Sequence, residues 1–135
     1  MVINGKTLNC AGGDCRAFNI NYGARCMQCS LAYLGKTVQA LRTRIAQHRG
    51  FIVALGASTD EFELSDENTL AAHALEHGVR TKADFNELYK FFVVKYVEKE
   101  MLTISEQELI SRYNTVRPYG LNVSNPLGIP SVFRV

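Results

Sequence analysis

Two short segments rich in aromatic and aliphatic residues predict strands near the start of the chain. They are residues 16–22 (RAFNINY) and 30–35 (SLAYLG), and the segment between them, GARCMQC, holds Cys26-x-x-Cys29. Such a pair is typical of a β-hairpin, here with both cysteines on its connection. Residues 90–98 (KFFVVKYVE) have the composition of a central strand, which brings the predicted sheet to about three strands.

Helical periodicity replaces the strand pattern after this hairpin. Thr37 is a candidate N-cap, Leu41 and Ile45 belong to an apolar stripe, and Gly50 is expected to end the helix. The apolar run at 51–58 then predicts a buried strand or a buried turn.

Three further helices are predicted downstream. The last begins at Ser105, which has capping-box spacing to Glu108. The predicted helices cover residues 69–77, 83–89 and 105–115, with a polar loop at 60–68 and turns with extended pieces at 117–130.

This order of elements predicts an α+β fold with a small central antiparallel sheet flanked by helices. A length of 135 residues, 47% of them hydrophobic and 21% charged, suits one domain over 1–135, with an amino-terminal arm at 1–15 and a carboxy-terminal extension at 123–135. No apolar run approaches the roughly 20 residues of a membrane span, and the first residues lack a signal-peptide pattern. We therefore expect an intracellular protein with no membrane partner, whose cysteines are thiols or metal ligands.

The net charge of +2 is small but unevenly distributed. No acidic residue lies between Asp14 and Asp60, whereas Asp60 to Glu87 carries eight acidic residues. The basic stretch contains Arg16, Arg25, Lys36, Arg42, Arg44 and Arg49. This separation suits a surface that faces a polyanion, although a solvated surface with chance asymmetry gives the same pattern.

Candidate catalytic or metal-binding side chains lie on two predicted helices. Thr37, Leu41, Arg44 and His48 follow one helical stripe, so the guanidinium and the imidazole point the same way. That pair suits a phosphate oxygen, or it is an ordinary solvated pair. Glu106 projects from the apolar stripe of the last helix and is either a rim residue at a helix start or a metal ligand at a cleft.

Cysteine and histidine pairs predict a zinc site. Cys26-x-x-Cys29 together with His73-x-x-x-His77 supplies two thiolates and two imidazoles with the spacing of structural zinc ligands. Two alternatives remain open. One is an all-cysteine set that uses Cys10 and Cys15, and the other is a redox dithiol of Cys26 and Cys29.

The ordered set of these residues resembles the motif series of GIY-YIG nucleases. It consists of Tyr22, the segment YLGKT at 33–37, Leu41, Arg44, His48, Glu106, Ile110, Thr115 and the ending RPYGLN at 117–122. The resemblance covers residues 18–122 and is greatest to the endonuclease domains of Penelope-like retroelements, which also have the cysteine pair, the histidine pair and the PYGLN ending. The chain departs from the family at Ile20-Asn21, where the motif has glycine and isoleucine, and at Leu34.

The resemblance implies a GIY-YIG fold and a metal-dependent endonuclease that nicks DNA. It implies one Mg²⁺ or Mn²⁺ at Glu106, a structural Zn²⁺ at the cysteine and histidine pairs, and a water activated by Tyr22, whose pKa Arg44 and the metal would lower. The implied catalytic residues are Tyr22, Tyr33, Arg44, His48 and Glu106. The implied supporting or substrate-binding residues are Gly35, Lys36, Thr37 and Asn122.

DNA is the partner that the resemblance implies, with a reverse transcriptase as a fusion or working partner in retroelement integration. A nuclear location follows if the chain comes from a eukaryotic retroelement. The competing hypothesis is a zinc-stabilised module that binds nucleic acid without cleaving it.

Overall fold

A three-stranded antiparallel sheet forms the centre of the molecule, and this confirms the predicted α+β class. The computed structural model describes residues 1–57 and 62–123, so most of the predicted carboxy-terminal extension and the start of the acidic loop lie outside the described residues. A short ribbon of β1 (Val2–Ile3) and β2 (Lys6–Thr7) precedes the sheet. The sheet contains β3 (Ile20–Cys26), β4 (Ala32–Thr37) and β5 (Tyr89–Tyr96), in the order β4-β3-β5.

Two details of the predicted strands are wrong. The hairpin connection is shorter than predicted, because Cys26 is the last residue of β3 and pairs with Tyr89, while Cys29 lies in the turn. The strand predicted as central, β5, lies at an edge, and β3 is the central strand. The apolar content of β5 reflects burial on both faces of the strand, with Tyr89 and Val93 in one apolar cluster and Val94 in the other, and not a place between two strands.

The first helix, α1 (Leu41–Ala57), is longer than predicted and includes the segment expected to be a strand or turn. Gly50 does not end it, because a glycine in an exposed helix position costs only about 1 kcal/mol. The buried side chain of Ile52, 1% exposed, packs into the core and offsets that cost. Thr37 is not the N-cap: it ends β4, and its hydroxyl accepts a hydrogen bond from the Gln39 N–H at 3.1 Å in the turn that leads to α1.

The second and third helices confirm the predictions. They are α2 (Thr69–Glu76), which follows Asn68 and ends before Gly78, and α3 (Lys82–Leu88). Gly78 has φ of +79°, a left-handed conformation that glycine adopts without strain.

The last helix, α4 (Leu102–Tyr113), begins earlier than the predicted capping box, after a 3₁₀ turn at Lys99–Met101. Ser105 is therefore inside the helix. Its hydroxyl is buried and donates to Asn21 Oδ1 at 2.5 Å, so tertiary contact replaces the predicted cap.

The sheet separates two apolar clusters, because side chains alternate between the faces of each strand. On one face Ile20, Tyr22 and Ala24 of β3 pack with residues of α1, α2 and α3. On the other face Leu34 and Val94 pack with residues of α4. Among the described residues no helix has both the length and the apolar character that crossing a membrane requires.

Candidate functional site

The buried phenol of Tyr22 is the centre of a polar cluster on the α1 face of the sheet. Its oxygen lies 2.6 Å from His48 Nε2, and Arg44 Nε donates to the same oxygen at 3.2 Å. Tyr22 is fully buried and His48 is 1% exposed. The helical stripe predicted for Arg44 and His48 therefore exists, and it faces inward onto β3.

Tyr33 lies beside this cluster on the neighbouring strand. Its ring centre is 6.0 Å from that of Tyr22 and 5.3 Å from that of His48. Its hydroxyl donates to the backbone carbonyl of Asp66 at 3.3 Å. The structure thus brings together Tyr22, Tyr33, Arg44 and His48, four of the five residues predicted to be catalytic.

Gly35 allows the two tyrosine rings to lie against the backbone of β4. It pairs with Tyr22 across the strands, and a Cβ atom at this position would lie 2.7 Å from Tyr22 Cζ and 2.8 Å from Tyr33 Cε1. These distances are too short for carbon atoms in contact, so any side chain at Gly35 would displace both rings.

Burial controls the protonation of Tyr22. Loss of solvent raises the pKa of Tyr22 to about 12, although the charge and hydrogen bond of Arg44 lower it. The expectation that Arg44 lowers the pKa of Tyr22 is correct in direction, but in the absence of a metal ion burial outweighs it. The pKa of Tyr33 is also raised, chiefly by burial and then by the nearby Tyr22 and Asp66. Both phenols are therefore protonated at neutral pH.

His48 is neutral at the same pH. Burial first, and then the positive charge of Arg44, lower the pKa of His48 to about 4. A neutral imidazole has one acceptor nitrogen, and Nε2 is the atom that faces the protonated Tyr22 hydroxyl. Nδ1 is buried and makes no hydrogen bond of good geometry among the residues that the structure describes, although the Glu67 backbone lies near enough to oppose the fall in the pKa of His48.

We expect His48 to make the protein acid-sensitive. Its pKa is about 4 in the folded protein against an ordinary 6.5, so between these values the unfolded chain binds a proton that the folded protein does not. The free energy of unfolding should therefore fall by up to about 3 kcal/mol as the pH drops from 6.5 to 4, a figure set by the shift in pKa. Urea unfolding of wild type and His48→Gln at several pH values measures this contribution.

The comparison is made as a difference between the two proteins. Acid effects that both proteins share then cancel, including those of Glu106, whose raised pKa acts with the opposite sign. A difference in unfolding free energy that stays constant from pH 7 to pH 4 would contradict the assignment of His48 as a buried neutral imidazole.

Glu67 belongs to this cluster and was missed in the sequence. Its carboxylate accepts two hydrogen bonds from Arg44, at 2.8 Å from Nη1 and 2.9 Å from Nη2. These bonds lower the pKa of Glu67 and, against the effect of burial, raise that of Arg44. The separation of the basic and acidic stretches is the only sequence signal for such a pair, and it does not identify the partners.

Glu106 lies half-buried in the amino-terminal half of α4. Burial raises its pKa to about 7. Lys36 and Arg44 lower the pKa, whereas Asp66 and Glu67 raise it, and these charges connect Glu106 electrostatically to the tyrosine cluster. Lys36 Nζ also donates to Thr103 Oγ1 at 2.6 Å, which attaches β4 to the start of α4.

Asn122 fastens the last described residues to β4. Its amide nitrogen donates to the Leu34 carbonyl at 2.8 Å, and its Oδ1 accepts from the Leu34 N–H at 3.0 Å and from Thr115 Oγ1 at 2.7 Å. The residue is 1% exposed, and both polar atoms of its side chain have hydrogen-bond partners. Asn122 therefore supports the strand that carries Tyr33 and Gly35 and does not itself contact Tyr22.

Cys26, Cys29, His73 and His77 form a second cluster, which can hold a metal ion such as zinc. Their candidate ligand atoms all lie within 4.8 Å of one another. Four ligands around tetrahedral Zn²⁺ are separated by roughly 3.3–3.8 Å, so small side-chain movements are sufficient. His73 Nδ1 lies 3.5 Å from Glu76 Oε2, the kind of partner that orients a ligating imidazole.

The alternative set of four cysteines finds no support. Cys10 and Cys15 are exposed, and within residues 1–57 and 62–123 they belong to no group of potential metal ligands. A metal ion bound by Cys26, Cys29, His73 and His77 would attach the β3–β4 turn to α2, at the opposite end of β3 from the strand's first residue, Ile20.

Comparison of the chain with protein-family models, with curated proteins and with solved structures finds no match.

Proposed function

We propose that the protein is a metal-dependent endonuclease that nicks DNA, with a structural zinc ion at the cysteine and histidine cluster. The observation that carries this proposal is the buried Tyr22 phenol between His48 Nε2 and Arg44 Nε. Burial of polar groups costs stability unless they are hydrogen-bonded, as these three are, and a buried cluster with strongly shifted pKa values is typical of catalytic sites. The resemblance to GIY-YIG nucleases supports the same residues, and it alone supports a role in retroelement integration beside a reverse transcriptase.

The protonation states of the cluster suit removal of a proton from water. In the proposed reaction, DNA binding would open a path to the buried Tyr22 oxygen. The proton of the attacking water would then pass to that oxygen while the Tyr22 proton passes to His48 Nε2, which is unprotonated at neutral pH. This concerted transfer avoids a free tyrosinate, which a pKa of about 12 makes unfavourable. It forms an imidazolium on a group whose pKa is about 4, so the negative charge of the attacked phosphate would have to stabilise that cation. Arg44 Nε stabilises the negative charge that develops on the phenol oxygen during the transfer.

Glu106 is the residue that would hold the catalytic Mg²⁺ or Mn²⁺. A hard cation of this kind prefers carboxylate oxygen and supplies positive charge to the phosphate and to the leaving oxygen. Lys36 lies near enough to lower the pKa of Glu106, and it would contact DNA phosphate beside that carboxylate. Thr37 and Gln39 lie in the turn that follows Lys36, and together with Arg44 they line a depression of about 320 Å³.

The two proposed metal sites, the cysteine and histidine cluster and Glu106, have separate roles. Zn²⁺ prefers the sulfur and nitrogen ligands of the cysteine and histidine cluster, whereas Mg²⁺ prefers oxygen. A zinc ion bound by Cys26 would fix the far end of β3, the strand that carries Tyr22 four residues earlier. The zinc would therefore stabilise the site without contacting the substrate.

The test is nicking of supercoiled plasmid by the purified protein. We expect conversion to the open circle with Mg²⁺, no conversion with EDTA, and about one zinc per chain in the same sample. Plasmid binding in a gel without nicking, under conditions where zinc is retained, would overturn the proposal and favour the zinc-stabilised binding module.

A further inference from the structure

Arg44 has almost no hydrogen-bonding capacity left for a substrate. Of its five N–H groups, one on Nε donates to Tyr22, two on Nη1 donate to Gln47 and Glu67, and one on Nη2 donates to Glu67. One Nη2 proton remains. A phosphate could therefore receive two parallel bonds from Arg44 only if Glu67 or the Tyr22 oxygen gave up its bond to the guanidinium.

The turn that carries Glu67 is held firmly in place. Asp66 accepts from the Tyr33 hydroxyl through its carbonyl, and Asp66 Oδ1 accepts from the Val123 N–H at 2.7 Å. On the other side, Asn68 Oδ1 accepts from the Ser65 N–H at 2.9 Å, and Asn68 Nδ2 donates to the Glu63 carbonyl at 3.0 Å. The backbone on both sides of Glu67 is thus fixed, although its own side chain is 57% exposed.

A two-point bond from a fixed carboxylate determines the plane of a guanidinium group. The Arg44 side chain is only 15% exposed, and with Nη1 and Nη2 bound to Glu67 its Nε–H points at the Tyr22 oxygen. An isolated ion pair on the surface contributes little to stability. Here the Arg44–Glu67 pair also orients the guanidinium, and the hydrogen bond from Nε to the buried Tyr22 oxygen depends on that orientation.

We infer that Glu67 is a positioning residue for the proposed nuclease reaction, which holds the Arg44 guanidinium so that Nε donates to the Tyr22 phenol oxygen. This inference rests on the proposed function. Arg44 then acts on the proton-accepting tyrosine and contacts phosphate through its remaining Nη2 proton alone. The opposite possibility, that Glu67 imitates a phosphate and must leave before DNA binds, is an outcome of the test.

Two readouts test this inference on Glu67→Gln and Glu67→Ala. In steady-state nicking with Mg²⁺, we expect kcat to fall on the order of 10- to 100-fold, with KM little changed, because the loss is one of alignment. In the DNA-free protein, we expect the Arg44 Nε–H resonance, slow to exchange with solvent in wild type, to be lost in both variants. Glu63→Gln removes the same charge from the same segment and should match wild type in both readouts.

Three results would overturn the inference. They are an unchanged rate in both Glu67 variants while wild type nicks, a fall in KM that indicates release of a blocking carboxylate, and an Arg44 Nε–H resonance that survives loss of Glu67. If wild type does not nick, the proposed function fails, and the resonance alone decides whether Glu67 holds Arg44.

Discussion

Glu106→Gln is expected to reduce Mg²⁺-dependent nicking of supercoiled plasmid by at least about 10³-fold, since in the proposed reaction both metal binding and charge stabilisation depend on this carboxylate. Glutamine has the same shape and keeps one acceptor oxygen, but it has no charge to hold a divalent cation. Because Glu106 is half-buried and its burial penalises the charged form, the substitution should leave α4 in place and the protein at least as stable.

Glu108→Gln is the matched control for this variant. Glu108 lies two residues further along α4 and is exposed, so its substitution removes the same charge from the same helix without altering the surroundings of Glu106. We expect Glu108→Gln to nick at the wild-type rate and both variants to retain zinc. Nicking by Glu106→Gln at the rate of the control would show that Glu106 holds no catalytic ion.

His73→Ala is expected to abolish the zinc binding proposed for the cysteine and histidine cluster and, with it, most of the stability of the fold. Structural zinc binding contributes roughly 10–16 kcal/mol at neutral pH, comparable to the roughly 5–15 kcal/mol that separates folded from unfolded domains. The loss should be visible as near-zero zinc by elemental analysis and as the absence of a cooperative thermal transition. Treatment of wild type with a strong chelator should produce the same change.

Cys15→Ala provides the control for the zinc prediction. Cys15 is exposed and lies outside the metal cluster, so this variant should retain about one zinc per chain and the wild-type thermal transition. Zinc retained by His73→Ala but lost from Cys15→Ala would favour the all-cysteine set. Freely titratable thiols without bound metal in wild type would favour the redox dithiol.

The parts of the site predicted from the sequence are those with a local pattern. Arg44 and His48 are four residues apart on α1, and Cys26 and Cys29 flank a turn, so residue spacing alone specifies which side chains share a face. The contact between Tyr22 and the helix is not local. It was anticipated only through the resemblance, because spacing alone favours a pair of strand tyrosines at the edge of a core.

The errors arose where tertiary contacts outweigh local preference. The apolar run after Gly50 has no distinct period, and burial of Ile52 against the core decides that it is helical. Ser105 has ideal capping spacing but binds Asn21 on a distant strand. Glu67 binds Arg44 across 23 residues of sequence, a contact that no local rule predicts.

Asn122 has a consequence for the outer edge of the sheet, because β4 has a neighbour on one side only. An exposed strand edge is a template for pairing with another chain and hence for aggregation. The amide of Asn122 occupies both backbone groups of Leu34, and the Leu121 N–H donates to the Ala32 carbonyl at 2.9 Å. Two successive residues of a turn therefore cover the free edge of β4 and leave fewer backbone groups there for an amyloid-like partner.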